Sequence, residues 1–164
     1  MTVLYWLIGI FAIVVVGFFG WAMTLPKEVS ASRTALIEAQ VDDVFALVTN
    51  VSDQSAWRSD VGAVEVSADG TSWVENTTQG IEITFREETK EPGLYIIAYS
   101  SPQGFTGHWE GRFVDENGAT RVDIVETTRT EGLFARAMAR IFTPAGAHID
   151  LYLNDLEQAF AAIA

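Results

Sequence analysis

The chain has 164 residues, a length that suits one domain with its own hydrophobic core. Its 22 acidic and 10 basic side chains give a net charge of -12. This charge argues against binding to nucleic acid and against electrostatic attraction to anionic lipid headgroups, because both interactions need clustered lysine and arginine. The absence of cysteine excludes disulfides, thiol catalysis and cysteine-ligated zinc.

The first 26 residues contain no charged side chain, and residues 3–23 are continuously apolar. A helix of about 20 residues crosses a hydrocarbon core of about 30 Å. Tyr5, Trp6 and Trp21 lie near the ends of this run, where aromatic rings prefer the headgroup region, and Pro26 ends it. We therefore predict that residues 1–26 form a transmembrane anchor and that residues 27–32 form a linker.

Two alternatives to an anchor fit the sequence less well. A cleaved signal peptide would have a charged segment before an apolar run of about 7–15 residues, whereas this run is longer and no Lys or Arg precedes it. A buried core helix would need an apolar surrounding that the rest of the chain does not supply. Lys27 and Arg33 follow the run, so the positive-inside bias predicts a single-pass protein of the cell membrane with its domain in the cytoplasm.

The next elements are a strand over about 29–38 and a helix over 41–48, the latter indicated by apolar residues at positions i, i+3, i+4 and i+7. A turn or short helix follows at 54–57. Strands are then predicted at 61–66, 72–76, 81–86, 94–99, 106–114 and 120–128, with turn signals about every ten residues. This spacing is typical of an antiparallel meander, and Asn117-Gly118 predicts its last tight hairpin.

The C-terminal part is predicted to be helical over 133–142 and again from Ile149, with an interruption at Pro144-Ala145-Gly146. The second helix carries one apolar stripe, which must lie on a hydrophobic surface; it consists of Ile149, Tyr152, Leu153, Leu156, Phe160 and Ile163. The element order predicts an α+β domain, in which a twisted sheet of six to seven strands wraps round the C-terminal helix and leaves a cavity between them.

The sequence resembles the helix-grip superfamily (SRPBCC), which includes START lipid-transfer domains, the birch-pollen-allergen type and polyketide cyclases. Three segments carry the resemblance: the strand–helix opening over 35–50 followed by Trp57, the strand segment Thr106-Gly107-His108-Trp109-Glu110-Gly111 with residues 118–122, and the helix from Ile149 to Leu156. The resemblance implies a helix-grip domain over residues 33–164. Such proteins often have a proline before the first helix, where this chain has Gln40 nearby.

The resemblance also implies a pocket for an apolar ligand. We predict that its walls are large apolar side chains from the strands and helices, although the same residues could serve as plain core; they are Trp57, Trp73, Phe85, Trp109 and Phe113, closed by Met138 and Phe142. If Phe113 lies opposite Val122, Glu126 also faces inward and is a possible polar cavity group. His108 and Glu110 are predicted on the solvent side.

The best functional hypothesis is a membrane-tethered domain that binds a hydrophobic small molecule or lipid. No catalytic residue, metal or cofactor is predicted, since the only histidines, His108 and His148, lie in no recognisable signature and no phosphate-binding loop follows a strand. One alternative is a polyketide cyclase- or aromatase-like enzyme, which would need a buried, unpaired carboxylate. The other is an acidic interaction module, which a solid core without a cavity would favour.

Overall fold

The computed structural model describes residues 2–162, with side-chain environments from Tyr5 onward. The chain begins with helix α1 (Thr2–Thr24). Its segment Tyr5–Thr24 is long and apolar enough to cross a membrane. Almost none of this segment is buried, so α1 is not a core helix of the domain that follows.

That domain contains one seven-stranded sheet, and every neighbouring pair of strands is antiparallel. The strand order is β1-β7-β6-β5-β4-β3-β2, so the sheet is a meander whose first strand returns beside the last. The strands are β1 (Glu28–Ile37), β2 (Val61–Val66), β3 (Ser72–Thr77), β4 (Glu82–Glu91), β5 (Leu94–Ser101), β6 (Phe105–Glu116) and β7 (Ala119–Thr130).

Among residues 2–162, four helices accompany the sheet after α1. They are α2 (Val41–Thr49), α3 (Gln54–Trp57), α4 (Leu133–Phe142) and α5 (Ala147–Ala161), and a single 3-10 turn at Val51–Asp53 precedes α3. Helix α5 buries its apolar stripe, including Ile149 and Leu156, in the core formed with the inner face of the sheet. The stripe's last predicted member, Ile163, lies outside the described residues.

The hairpin between β6 and β7 determines which side chains face inward. Asn117 and Gly118 both have positive φ, at 58° and 93°, as a tight hairpin turn requires. The resulting register confirms that Phe113 lies opposite Val122, and it places Trp109 opposite Glu126. Residues two apart share a face of a strand, so these side chains all point toward the core.

The predicted linker over residues 27–32 was wrong from residue 28 onward. Strand β1 begins at Glu28 and pairs with β7 from Glu28 opposite Arg129 to Ile37 opposite Thr120. Ser30 and Ser32 have the polarity of a linker, but they occupy the exposed face of an edge strand. Only residues 25–27 therefore separate α1 from the sheet.

Candidate functional site

A cavity of about 750 Å³ lies between the inner face of the sheet and helices α4 and α5. The sheet contributes aromatic and aliphatic side chains from several strands, namely Ile83, Phe85, Ile97, Tyr99, Phe105 and Trp109. The helices contribute Ala135, Met138, Ala139, Ile149 and Tyr152. The wall is therefore mainly apolar, as expected where a sheet and a helix pack incompletely.

Two glycines on β6 allow large rings to lie across this strand. Gly107 is the register partner of Tyr99, and a Cβ atom at Gly107 would overlap the Tyr99 ring. Gly111 lies under the Trp109 indole in the same way. The missing side chains let both rings lie close to the sheet, and the Tyr99 hydroxyl can thereby reach across to β7.

A polar pair lies within the apolar wall. The Tyr99 hydroxyl donates a hydrogen bond to Glu126 Oε1 over 2.9 Å and also contacts the Thr128 hydroxyl. Burial raises the pKa of Tyr99 and the Glu126 charge raises it further, so the phenol keeps its proton. No lysine or arginine in the described part of the chain forms an ion pair with Glu126. This pair can offer a ligand both a hydroxyl and a carboxylate.

A second group of polar side chains also lines the cavity. Arg58 Nη1 lies 3.1 Å from Glu75 Oε2 and 2.6 Å from Gln54 Oε1, while its Nη2 lies 3.0 Å from Asp60 Oδ2. Glu75 is only 1 % exposed and also accepts a 2.9 Å hydrogen bond from Trp73 Nε1. Burial raises the pKa of the Glu75 carboxyl, and the Arg58 charge acts in the opposite direction. The pair is therefore a buried ion pair with most of its hydrogen bonds satisfied.

Helix α5 holds the segment next to Arg58 in place. The buried Asp155 carboxylate accepts hydrogen bonds from the backbone N–H and the hydroxyl of Ser59, at 2.7 and 2.8 Å. The Arg58 guanidinium also lies 5.4 Å from the centre of the Tyr152 ring. The C-terminal helix thus positions the Arg58 cation in the wall of the cavity.

At the rim of the cavity, α4 lies close to the end of α1. Leu25, Pro26 and Lys27 contribute to the rim, together with Arg136 and Arg140 of α4. Arg136 Nη1 donates a 2.8 Å hydrogen bond to the Leu25 carbonyl, which ties α4 to the end of α1. Its Nε is buried and has no hydrogen-bond partner among residues 2–162, so it is available to an acceptor on a ligand.

The sequence matches no protein-family model and no curated protein. The structure, however, is similar to solved structures. A START superfamily protein from Mycobacterium smegmatis superposes with a TM-score of 0.67 at 11% identity, over 82% of this chain and 99% of that one. The Zhui aromatase/cyclase from Streptomyces sp. R1128 superposes with a TM-score of 0.62 at 14% identity, over 82% of this chain and 94% of that one. A third similar structure is a norcoclaurine synthase point mutant from Thalictrum flavum in complex with a transition-state analogue. Its TM-score is 0.65 at 9% identity, over 82% of this chain and 95% of that one.

The chain has the helix-grip fold. At these identities the similarity extends to the fold alone. It confirms the predicted α+β architecture, with the antiparallel sheet packed on the C-terminal helix.

The helix-grip cavity contains four of the eight side chains predicted to line it. They are Phe85, Trp109, Met138 and Glu126. Glu126 faces inward through the register of β6 with β7, as predicted. His108 lies on the opposite face of β6 and is exposed, also as predicted.

The other predicted residues lie elsewhere. Trp73 is buried behind the wall and stacks on Phe85 with 5.3 Å between ring centres, and Phe113 packs edge-on against Phe45 of α2. Trp57 packs edge-on against Tyr152. The prediction that Phe142 closes the pocket was wrong, because this side chain is 75% exposed on α4. Trp73, Phe113 and Trp57 thus pack behind or beside the cavity wall and do not line the cavity.

Tyr95, Tyr99 and the arginines of the helix-grip cavity were not predicted from the sequence. Tyr95, Ile97 and Tyr99 alternate along β5 and all line the cavity, so the two-residue periodicity of a strand could have identified them. Arg58 gave no such signal. It follows a four-residue helix, and its partner Glu75 is 17 residues further along the chain.

Proposed function

We propose that the protein binds a hydrophobic small molecule or lipid in the helix-grip cavity while α1 anchors it in a membrane. The cavity itself carries the proposal. Its volume of about 750 Å³ lies within the range of about 300–1,000 Å³ typical of small-molecule sites, and its wall is mainly aromatic and aliphatic. An interaction module would need no such internal space.

The polar groups indicate what the ligand carries besides its apolar body. A ligand hydroxyl beside Tyr99 and Glu126 would find an acceptor in the Glu126 carboxylate, because the one phenolic proton of Tyr99 is already donated to Oε1, and an acceptor at the rim would meet the unpaired Nε of Arg136. The Arg58 guanidinium is already paired with carboxylates and offers less. The best-fitting ligand is thus mainly apolar, with one or two oxygen functions.

Co-purification tests the ligand proposal. The full chain is purified in detergent, exchanged into phosphatidylcholine nanodiscs and extracted with organic solvent, and binding of an anthroyloxy-labelled stearic acid and of dehydroergosterol is titrated by fluorescence. We expect one hydrophobic compound in stoichiometric amount, or saturable binding of one probe. An extract that contains only the nanodisc lipid, together with no saturable binding, would contradict ligand binding.

An acid–base enzyme of cyclase or aromatase type is the second candidate. The supporting observation is Glu126, a cavity carboxylate without an ion-pair partner in the described residues but with a hydrogen bond from Tyr99. The helix-grip neighbour Zhui is named an aromatase/cyclase, which concerns that protein. Incubating the extracted compound with the wild type and with Glu126→Gln separates the candidates, because a binding protein returns the compound unchanged in both cases.

Fusion of alkaline phosphatase after Ala164 tests the membrane orientation. We expect little activity, because Lys27 and Arg33 follow α1 and the positive-inside bias would keep the domain and the fused enzyme in the cytoplasm. The matched control adds three lysines ahead of residue 1, which should invert the chain and raise the activity. Strong activity of the fusion without these lysines would show that the domain faces outward.

A further inference from the structure

Helix α4 carries an apolar surface that the domain leaves uncovered. Among the described residues outside α1, the large apolar side chains that are more than half exposed are Phe134 (61%), Ile141 (51%) and Phe142 (75%). Phe134 and Ile141 are seven residues apart, which is two helical turns, and Phe142 is adjacent. The three side chains therefore lie on one side of α4, and we name this set the α4 patch.

The α4 patch continues the apolar surface of α1. The covered side of α1 repeats at helical spacing, with Val15, Phe18 and Ala22 at least partly buried, and Leu25 continues it just after the helix. Helix α4 packs beside the end of α1, and the Phe18 and Phe134 rings lie 6.3 Å apart. The patch thus begins beside the last turns of the proposed membrane span.

The depth of this contact can be calculated. Phe18 precedes the end of α1 at Thr24 by six residues, which corresponds to about 9 Å along the helix axis at 1.5 Å per residue. Interfacial amphipathic helices bury their apolar face about 5–10 Å into the boundary between headgroups and acyl chains. With α1 across a bilayer, Phe134 lies within this zone.

The charges of α4 also suit a lipid surface, although those of the whole chain do not. Helix α4 contains Arg136 and Arg140 and no acidic residue, whereas the chain carries a net charge of -12. Its other side reaches the cavity through Ala135 and Ala139, and Met138, which is four residues from both Phe134 and Phe142, lines the cavity from the side of the patch. The cavity wall and the uncovered patch therefore adjoin each other on one helix.

We infer that α4 is an interfacial helix, which inserts Phe134, Ile141 and Phe142 into the leaflet where α1 leaves the bilayer. The rim of the cavity then opens at the lipid interface, and the ligand enters from the leaflet. This inference rests on the proposed membrane anchor and deepens the proposed ligand binding, because it names the bilayer as the source of the ligand.

Spin labels can measure the depth of α4, since the chain has no cysteine to interfere. Single variants Ile141→Cys and Phe142→Cys are labelled in the full chain and reconstituted in phosphatidylcholine vesicles. Ile13→Cys in α1 marks the lipid. Val114→Cys on β6 marks water, because Val114 lies at the end of the sheet far from α1. It pairs with Arg121, which is nine residues along β7, or about 30 Å, from Thr130, and Thr130 is hydrogen-bonded to Lys27 just after α1.

We expect the labels at 141 and 142 to resemble Ile13→Cys, with high collision rates with oxygen and low rates with a water-soluble nickel complex. Nickel accessibility equal to that of Val114→Cys would overturn the inference. Spin–spin broadening that disappears on dilution with unlabelled protein would also overturn it, since a second copy would then cover the patch. Labels in lipid without any bound ligand would leave α4 interfacial and contradict only the proposed binding function.

Ligand entry has its own measurement. The triple variant Phe134→Ser, Ile141→Ser, Phe142→Ser should take up anthroyloxy stearic acid from vesicles at least tenfold more slowly than the wild type, with equal equilibrium binding in detergent. Unchanged uptake would overturn entry through the leaflet. If the triple variant also loses equilibrium binding, Phe142→Ser alone replaces it. Uptake by this single variant that is at least threefold slower than by the wild type would support the inference, and unchanged uptake would oppose it.

Discussion

Replacing Arg58 with methionine is expected to lower the free energy of unfolding by about 3–5 kcal/mol at neutral pH. The reason is the Glu75 carboxylate, which is almost fully buried and would lose the guanidinium 3.1 Å away. Methionine keeps most of the volume of the side chain, so the loss reports mainly on the uncompensated charge. Urea unfolding of the full chain in detergent, followed by tryptophan fluorescence, measures it.

The same variant should regain stability in acid. Burial already raises the pKa of Glu75, and removal of Arg58 removes the charge that opposes this rise. Between the unfolded and the folded pKa, the native state binds the extra proton, so the free energy of unfolding increases as the pH falls through that window. The difference between wild type and variant should therefore shrink in acid.

Arg112→Met is the matched control for Arg58→Met. Arg112 pairs with Glu110 at 2.6 Å on the outer face of β6, where both side chains contact water. An exposed pair of this kind contributes about 0–1 kcal/mol, and its loss should depend little on pH. Equal losses for the two variants, or a loss for Arg58→Met that is constant with pH, would contradict the description of Arg58 and Glu75 as a buried ion pair.

Ala31→Trp is expected to weaken binding of the hydrophobic probe at least tenfold, which corresponds to about 1.4 kcal/mol. Ala31 lies on β1 opposite Glu126 and lines the cavity, so an indole at this position would occupy the space that the ligand needs. Strands accept aromatic residues readily, and the added ring enters open space, so the fold should tolerate it. Fluorescence titration of the full chain in nanodiscs measures the affinity.

Ser32→Trp provides the comparison for Ala31→Trp. It adds the same ring to the next residue of β1, which points to the opposite, exposed face of the sheet. We expect its affinity for the probe to equal that of the wild type. If Ala31→Trp also binds normally, the probe occupies a site other than the cavity.

The sequence was sufficient for the features that local rules determine. Asn117-Gly118 supplies the positive φ values of a tight hairpin, and two-residue alternation then places Trp109, Phe113 and Glu126 on the inner face. The apolar periodicity of α5 likewise identified the helix that packs on the sheet.

The composition of the cavity wall depended on contacts between distant elements. Trp73 and Phe113 both face inward, but Phe45 of α2 covers Phe113, and Phe85 separates Trp73 from the cavity. The alternation of side chains along a strand shows which ones face inward, but it cannot distinguish a side chain that lines a cavity from one that a helix covers. The ion pair of Arg58 with Glu75 likewise depends on how α3 packs against β2, the strand beside β3 that carries Glu75.

The short connection between α1 and β1 limits where the protein can act. Only residues 25–27 connect them, and three extended residues span at most about 10–11 Å. With α1 in a bilayer, the domain diffuses in two dimensions and stays within about its own width of that surface. It would exchange ligand with its own membrane, or with one in close apposition, and would not carry cargo through the aqueous phase. If the proposed anchor and ligand binding hold, any partner that receives the ligand must come to the membrane.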